Sequence, residues 1–109
     1  MIFLCEHETQ GLACQEALSA NIPVLAWDEG ELVDPILRPF APPGLVTSSV
    51  PYFDSRCGER FKAQDFETVF TSFWHGVEAS RYRPRQFILD TLSLPHSAEN
   101  YLSLYGSLM

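Results

Sequence analysis

Two short apolar runs, Ile2 to Cys5 and Pro23 to Trp27, bracket a Leu- and Ala-rich stretch, Gly11 to Ala20, that holds no interior proline or glycine. This spacing restricts the fold more than any other feature of the chain. Each run has the length of a fully buried strand, and the stretch between them has the length of a helix. A strand, a helix and a strand in such close succession form a βαβ unit, which joins parallel strands by a right-handed crossover. Asn21 follows the stretch as a helix stop, because Asn tolerates the left-handed conformation.

The remainder divides into a loop-rich part and a helical part. Five of the eight prolines (Pro35, Pro39, Pro42, Pro43 and Pro51) lie between Asp28 and Pro51, so a long surface excursion is expected there. Val46 to Val50 is expected to form one short strand within it. Asp54 to Phe61 reads either as a plain surface turn or as a loop in which Gly58 lies over a ligand. From Asp65 the period becomes helical: Phe66, Val69, Phe70, Phe73, Trp74 and Val77 share one face, expected to be core. Arg83 to Leu92 reads as a second helix with Pro84 in its first turn. A third is expected from near Pro95, with Ala98, Tyr101, Leu102, Tyr105 and Leu108 as its apolar stripe. The fold class expected is α/β, a partial Rossmann-like parallel sheet followed by C-terminal helices. Its parts are a βαβ unit at 1–30, a loop-rich segment at 31–62 and the helices at 63–109.

Composition narrows the partners. With 109 residues, 46% of them apolar, there is material for one core. Seven Lys and Arg against fourteen Asp and Glu leave a negative field that repels phosphate backbones and anionic lipid, so nucleic acid is not an expected partner. The apolar runs fall far short of the roughly 20 residues of a membrane span, and no signal-peptide pattern opens the chain. Cys5, Cys14 and Cys57 are an odd number without CxxC spacing, which suits reduced thiols and a cytoplasmic location. Zinc is not expected at Cys5, His7 and Cys14, since one cysteine falls on a buried strand and another inside a helix.

Chemistry concentrates in the loop from Glu6 to Gln10 and the helix after it. Ligands of open parallel sheets sit beyond the carboxyl ends of the strands, and this loop leaves such an end. The helix begins near Gly11, so its first N–H groups and the positive end of its dipole face the same crevice, a place for an anion. Gly11 lacks a Cβ and would let a phosphate or sugar approach the backbone. Glu8 precedes the helix and Glu16 lies on it, one turn beyond Leu12. An ionised carboxylate only accepts hydrogen bonds, which suits Glu16 to the two hydroxyls of a ribose and Glu8 to those of a second sugar. His7 lies in the same loop. Arg81, Arg83 and Arg85 read as a solvated helix start.

The segment Glu8 Thr9 Gln10 Gly11 Leu12 Ala13 Cys14 Gln15 Glu16, followed by Ala17 Leu18 and then Ile22 Pro23 Val24 Leu25 Ala26, resembles the E-x7-E motif and following strand of GT-B retaining glycosyltransferases of the family-four type. The family pattern is E-G-F-G-x-x-x-x-E-A, then a helix, then G-x-P-V. Gly11 matches the second glycine, and Thr9 replaces the first. Asp28 Glu29 Gly30 resembles the turn after that strand, and Leu92 to Tyr105 resembles the C-terminal helix; residues 31 to 90 match loosely.

The resemblance implies that the chain is the C-terminal part of a donor-binding domain. Glu16 would then bind the nucleotide ribose, and Glu8 the hydroxyls of the transferred sugar as the catalytic carboxylate. Thr9, Gln10, Gly11 and Leu12 would line the diphosphate and sugar. The donor would be a nucleotide-diphosphate sugar, transferred with retention and without metal or cofactor. An acceptor-binding N-terminal domain would be the missing partner, and the basic residues set against the diphosphate would lie upstream. The chain alone would then be inactive and would self-associate through the uncovered stripe of its last helix. The competing reading is a free-standing α/β binding or regulatory module with a vestigial site.

Overall fold

The computed structural model describes residues 1–8, 10–32 and 34–108. Three strands, β1 (Ile2–Leu4), β2 (Val24–Trp27) and β3 (Gly58–Phe61), form one parallel sheet in the order β1-β2-β3. Helix α1 (Leu12–Ser19) crosses from β1 to β2, as the strand-helix-strand spacing predicts. Helices α2 (Phe66–Glu78), α3 (Pro84–Thr91) and α4 (Leu94–Leu108) follow, with short 3-10 turns at Arg38–Phe40 and Ala63–Asp65. Among the described residues, no helix is long and apolar enough to cross a membrane.

The central strand is the hub. Val24 and Ala26 point to one face, where they join Cys14, Ala17 and Leu18 of α1 and Phe87 of α3. Leu25 points to the other, against Phe61, Phe73 and Tyr82. Successive residues of a strand face opposite ways, so the apolar run of β2 reflects cover on both sides.

Two helices end in the same device. After α1, the N–H groups of Asn21 and Ile22 donate to the carbonyls of Leu18 and Ala17, with Asn21 at φ 65°. After α2, Ser80 and Arg81 repeat the pattern onto Val77 and Gly76, with Ser80 at φ 53°. This is the Schellman arrangement. Asn21 does a second job: its side-chain oxygen accepts from the N–H of Arg85 at 3.2 Å, in the first turn of α3, while the Arg85 guanidinium donates to the Ser19 carbonyl at 3.0 Å. Pro84 stands at the first position of α3, as expected.

Three expectations are corrected. Val46 to Val50 is not a strand; the segment is held by Ser49 Oγ donating to the Trp27 carbonyl at 2.6 Å and by the Ser48 hydroxyl accepting from the N–H of Val50 at 3.0 Å. Side-chain bonds there replace a ladder. Asp54 to Phe61 is not a surface turn throughout, because Gly58–Phe61 is β3. Gly58 is required inside that strand, since at φ 146° a Cβ would lie 1.9 Å from the carbonyl oxygen of Val24. Finally, the α2 stripe is only half core: Phe73 is buried and Val69 and Val77 partly so, whereas Phe66, Phe70 and Trp74 remain exposed. Of these three, Phe66 still meets β3, its ring edge-on to that of Phe61 with centroids 5.0 Å apart.

The result is a slab of 50 × 41 × 19 Å. Its radius of gyration, 15.9 Å, exceeds the ~13 Å of a compact domain of this length. Its accessible surface of 7420 Å² exceeds by about 1,300 Å² what a folded monomer of 12.3 kDa shows. Large apolar side chains are exposed on the long excursion, as at Ile36 and Phe40, and along α4, where Tyr101, Leu102 and Tyr105 are 61%, 70% and 53% exposed.

Candidate functional site

The carboxyl ends of the three strands come together at Leu4, Trp27 and Phe61. The loop leaving β1 carries Glu6, His7 and Glu8, all exposed, and enters α1 at Gly11. Gly11 is the N-cap of α1 at φ 77°, a conformation that glycine alone adopts without strain. Gln15, one turn into the helix, donates through Nε2 to the Gln10 carbonyl at 2.6 Å and fixes the last residue of the loop.

Of the sequence-derived site residues, Glu8, Gln10, Leu12 and Glu16 are exposed on this loop and the first two turns of α1. Thr9 lies outside the described residues. Gly11 differs from them in being buried: the position its Cβ would take is 3.7 Å from Pro51 Cδ. The glycine therefore serves the chain's own turn, and on that side Pro51 fills the space that a ligand would have needed. The ion pairs among the described residues include neither Glu8 nor Glu16. Glu8 accepts from the Cys5 thiol at 3.6 Å, and burial together with Glu8 raises the Cys5 thiol above its usual range.

The residue that organises the site is Ser48. Its carbonyl accepts from the N–H of Glu8 at 2.9 Å, and its hydroxyl donates to Asp28 Oδ2 at 2.7 Å. One residue of the long excursion thus ties the loop after β1 to the residue after β2. The Asp28 side chain is only 7% exposed, accepts also from the N–H of Gly30 at 3.2 Å, and pairs with Arg60 Nε at 3.4 Å. Arg60 in turn donates to the Phe53 carbonyl and lies over the Phe53 ring, 5.0 Å from its centroid. Beside it, Glu29 accepts from the Trp27 indole at 2.7 Å and from the N–H of Ala63 at 2.9 Å, and these two donors lower its carboxyl below the usual range.

Sequence reasoning placed Asp28 at a turn and gave Arg60 no role. A carboxylate directly after a buried strand was the available signal; Arg60 gave none, because its strand was read as a turn. Its charge is matched by Asp28, while Lys62, directly after β3, adds its charge to the two donors in lowering the Glu29 carboxyl. Cys14 and Cys57 are buried, with burial pushing both thiols up to about 11, which makes them poor metal ligands and poor nucleophiles. No protein-family model, no curated protein and no solved structure matches the chain.

Proposed function

We propose that the chain forms part of the donor site of a retaining glycosyltransferase that uses a nucleotide-diphosphate sugar. The observation that carries this reading is that Glu8 leaves the carboxyl end of a parallel strand and Glu16 lies on the helix that follows, with both carboxylates exposed. In this reading Glu16 accepts from the ribose diol, and Glu8 accepts from hydroxyls of the transferred sugar. The free N–H groups at the start of α1 face the diphosphate. The bond from the anomeric carbon to the diphosphate breaks, the nucleoside diphosphate leaves with the electron pair, and the acceptor oxygen bonds to the same face of the sugar while its proton passes to the departing diphosphate oxygen. Acceptor binding and the cationic residues for the diphosphate belong to an N-terminal domain and to upstream parts of the donor domain.

A second reading, a binding or regulatory module of α/β type, draws support from Pro51 over Gly11 and from the matched charge of Arg60.

The test is a panel of uridine, guanosine and adenosine diphosphate sugars titrated into the full-length protein that carries this chain. Glu16→Gln is expected to weaken donor binding by about 1–3 kcal/mol, the worth of a charged hydrogen-bond acceptor. Glu8→Gln is expected to lower turnover more than nucleotide affinity. No binding by any donor, or unchanged affinity and turnover in both variants, sinks the proposal and leaves the module.

A further inference from the structure

A groove of about 530 Å³ lies between the loop that enters α1 and the last helix, lined by Gln10, Tyr52, Thr91, Leu92, Asn100 and Tyr101, with Ser97 and Leu104 completing its α4 wall. Its size falls within the ~300–1,000 Å³ of small-molecule sites. Four segments build it: the loop at Gln10, Tyr52, the end of α3 and α4. Tyr52 is brought in because Pro51 packs against Gly11, which sets the end of the long excursion beside Gln10. Thr91 and Leu92 come from the end of α3, where the Thr91 hydroxyl is turned back onto the Phe87 carbonyl and presents its oxygen as an acceptor. Ser97, Asn100, Tyr101 and Leu104 repeat at i, i+3, i+4 and i+7 and so occupy one face of α4.

The lining has a definite chemistry. No Asp, Glu, Lys, Arg or His contributes to it, in a protein whose net charge is −7. Among the described residues it therefore offers no opposite charge to an ionic group. It offers two phenol rings, Tyr52 and Tyr101, each substantially exposed, and two side-chain amides, Gln10 and Asn100, each both donor and acceptor. The hydroxyls of Ser97 and Thr91 and the apolar Leu92 and Leu104 complete the set. Aromatic faces take the C–H face of a flat, polyhydroxylated ring, and amides and hydroxyls suit its in-plane O–H groups, which both donate and accept.

We infer that this groove binds a neutral saccharide, with Tyr52 and Tyr101 as stacking platforms and Gln10 and Asn100 as the principal hydrogen-bonding groups. Gln10 also belongs to the loop proposed for the donor, so the saccharide would lie next to that loop. The inference does not rest on the donor proposal, since it requires neither a diphosphate nor transfer. It holds if the chain is a module without activity.

The test is a titration of the isotope-labelled chain with glucose, galactose, N-acetylglucosamine, maltose and chitobiose, followed by amide NMR shifts. Concentrations run to roughly 50 mM, enough to saturate a site with Kd near 1 mM. Glucuronate and glucose 6-phosphate serve as charged counterparts. Saturable shifts at Gln10, Tyr52, Asn100 and Tyr101 by at least one neutral sugar are expected. Tyr101→Ala and Asn100→Ala should each weaken that binding about tenfold or more, while Leu102→Ala on the adjoining face of α4 leaves it unchanged. Both substituted positions are exposed on a helix, so the variants keep their fold, which the spectrum itself reports. The inference is overturned if no neutral sugar gives saturable shifts, if the charged sugars bind as well, or if Leu102→Ala weakens binding as much as Tyr101→Ala.

Discussion

The side-chain oxygen of Asn21 accepts a hydrogen bond from the backbone N–H of Arg85, so the residue that terminates α1 also caps α3 across the fold. Ser80 takes the same left-handed conformation after α2 without such a partner among the described residues. The two positions therefore answer differently to glycine. Ser80→Gly relieves a conformation that costs an L-residue about 1 kcal/mol or more, and should raise stability by about 0.5–1 kcal/mol in urea unfolding. Asn21→Gly relieves less and loses the cap of α3, worth about 1 kcal/mol, so it should be neutral or destabilising. Equal gains at both sites would mean that the Asn21 cap contributes nothing.

Gly58 is the position least open to substitution. A Cβ there meets the Val24 carbonyl oxygen, carbon and nitrogen at 1.9, 2.8 and 3.0 Å, all of them backbone atoms that cannot rotate away. Gly58→Ala is expected to cost more than about 4 kcal/mol, a large share of the stability of any small domain. Gly44→Ala is the control: its φ of 79° is unfavourable for alanine, yet nothing lies within 4 Å, so the cost should stay near 1 kcal/mol. Thermal unfolding of the two variants gives the comparison, and a Gly58→Ala protein that melts with the Gly44→Ala protein would contradict the β2–β3 pairing.

Tyr82 makes the fold sensitive to alkali. Its ring stacks on Phe73 with centroids 5.5 Å apart and lies against Gly76, and its hydroxyl donates to Glu59 at 3.0 Å. Burial, with the Glu59 carboxylate second, pushes the phenol up to about 12 from 10.0. The folded state thus holds this proton more tightly than the unfolded chain. The stability that Tyr82 contributes is fully present below about pH 10 and is lost as pH rises from there toward 12. Tyr82→Phe should lose about 1 kcal/mol or less at neutral pH, because Glu59 is left partly solvated, and should remove Tyr82's share of the alkaline slope. Denaturant midpoints measured across that range decide it; an unchanged slope would place the phenol outside the core.

The stripe expected on the last helix divides in two. Tyr101 borders the groove with Asn100 and Leu104, whereas Leu94, Ala98, Leu102 and Tyr105 form the next face round, with a 5.0 Å ring contact between Tyr101 and Tyr105 at the seam. An apolar helix face this exposed seeks cover. The 109-residue chain should self-associate through this second face. Sedimentation velocity over a range of concentrations should show dimers or larger species for the parent and a monomer for Leu102→Glu or Tyr105→Glu. A parent that stays monomeric throughout would mean that the face tolerates water.

Much of this was legible because period and punctuation agree at the same residues. The βαβ unit could be read from two apolar runs around a Leu- and Ala-rich stretch, and its helix stops at Asn21 in the expected left-handed state. Helices α2, α3 and α4 follow their apolar spacing and Pro84. Strand β3 was not legible. Of Gly58 Glu59 Arg60 Phe61, only the first and last are buried, and the two between are engaged by Tyr82 and Asp28, so no apolar run announces it. Val46 to Val50 misled in the opposite sense, since Ser48 and Ser49 spend their hydroxyls on β2 and its exit rather than lying in a ladder. At the site, the local pattern placed Glu8, Gln10 and Glu16 on one loop and helix. Pro51 over Gly11 and Arg60 beside Asp28 depend on contacts between distant segments, which spacing along the chain does not encode.

The long excursion between β2 and β3 touches the rest of the molecule mainly near its two ends, at Asp28 to Gly30 and from Thr47 to Cys57. Between them, Arg38 bonds to Glu31 and the short turn at Arg38–Phe40 closes on itself, both on the surface. Closing a flexible loop becomes only about 0.6 kcal/mol harder with each doubling of its length. Residues 34 to 45 are therefore the stretch in which the chain can gain or lose residues at little thermodynamic penalty. Ser48, which reaches both Glu8 and Asp28, sets where such variation must stop.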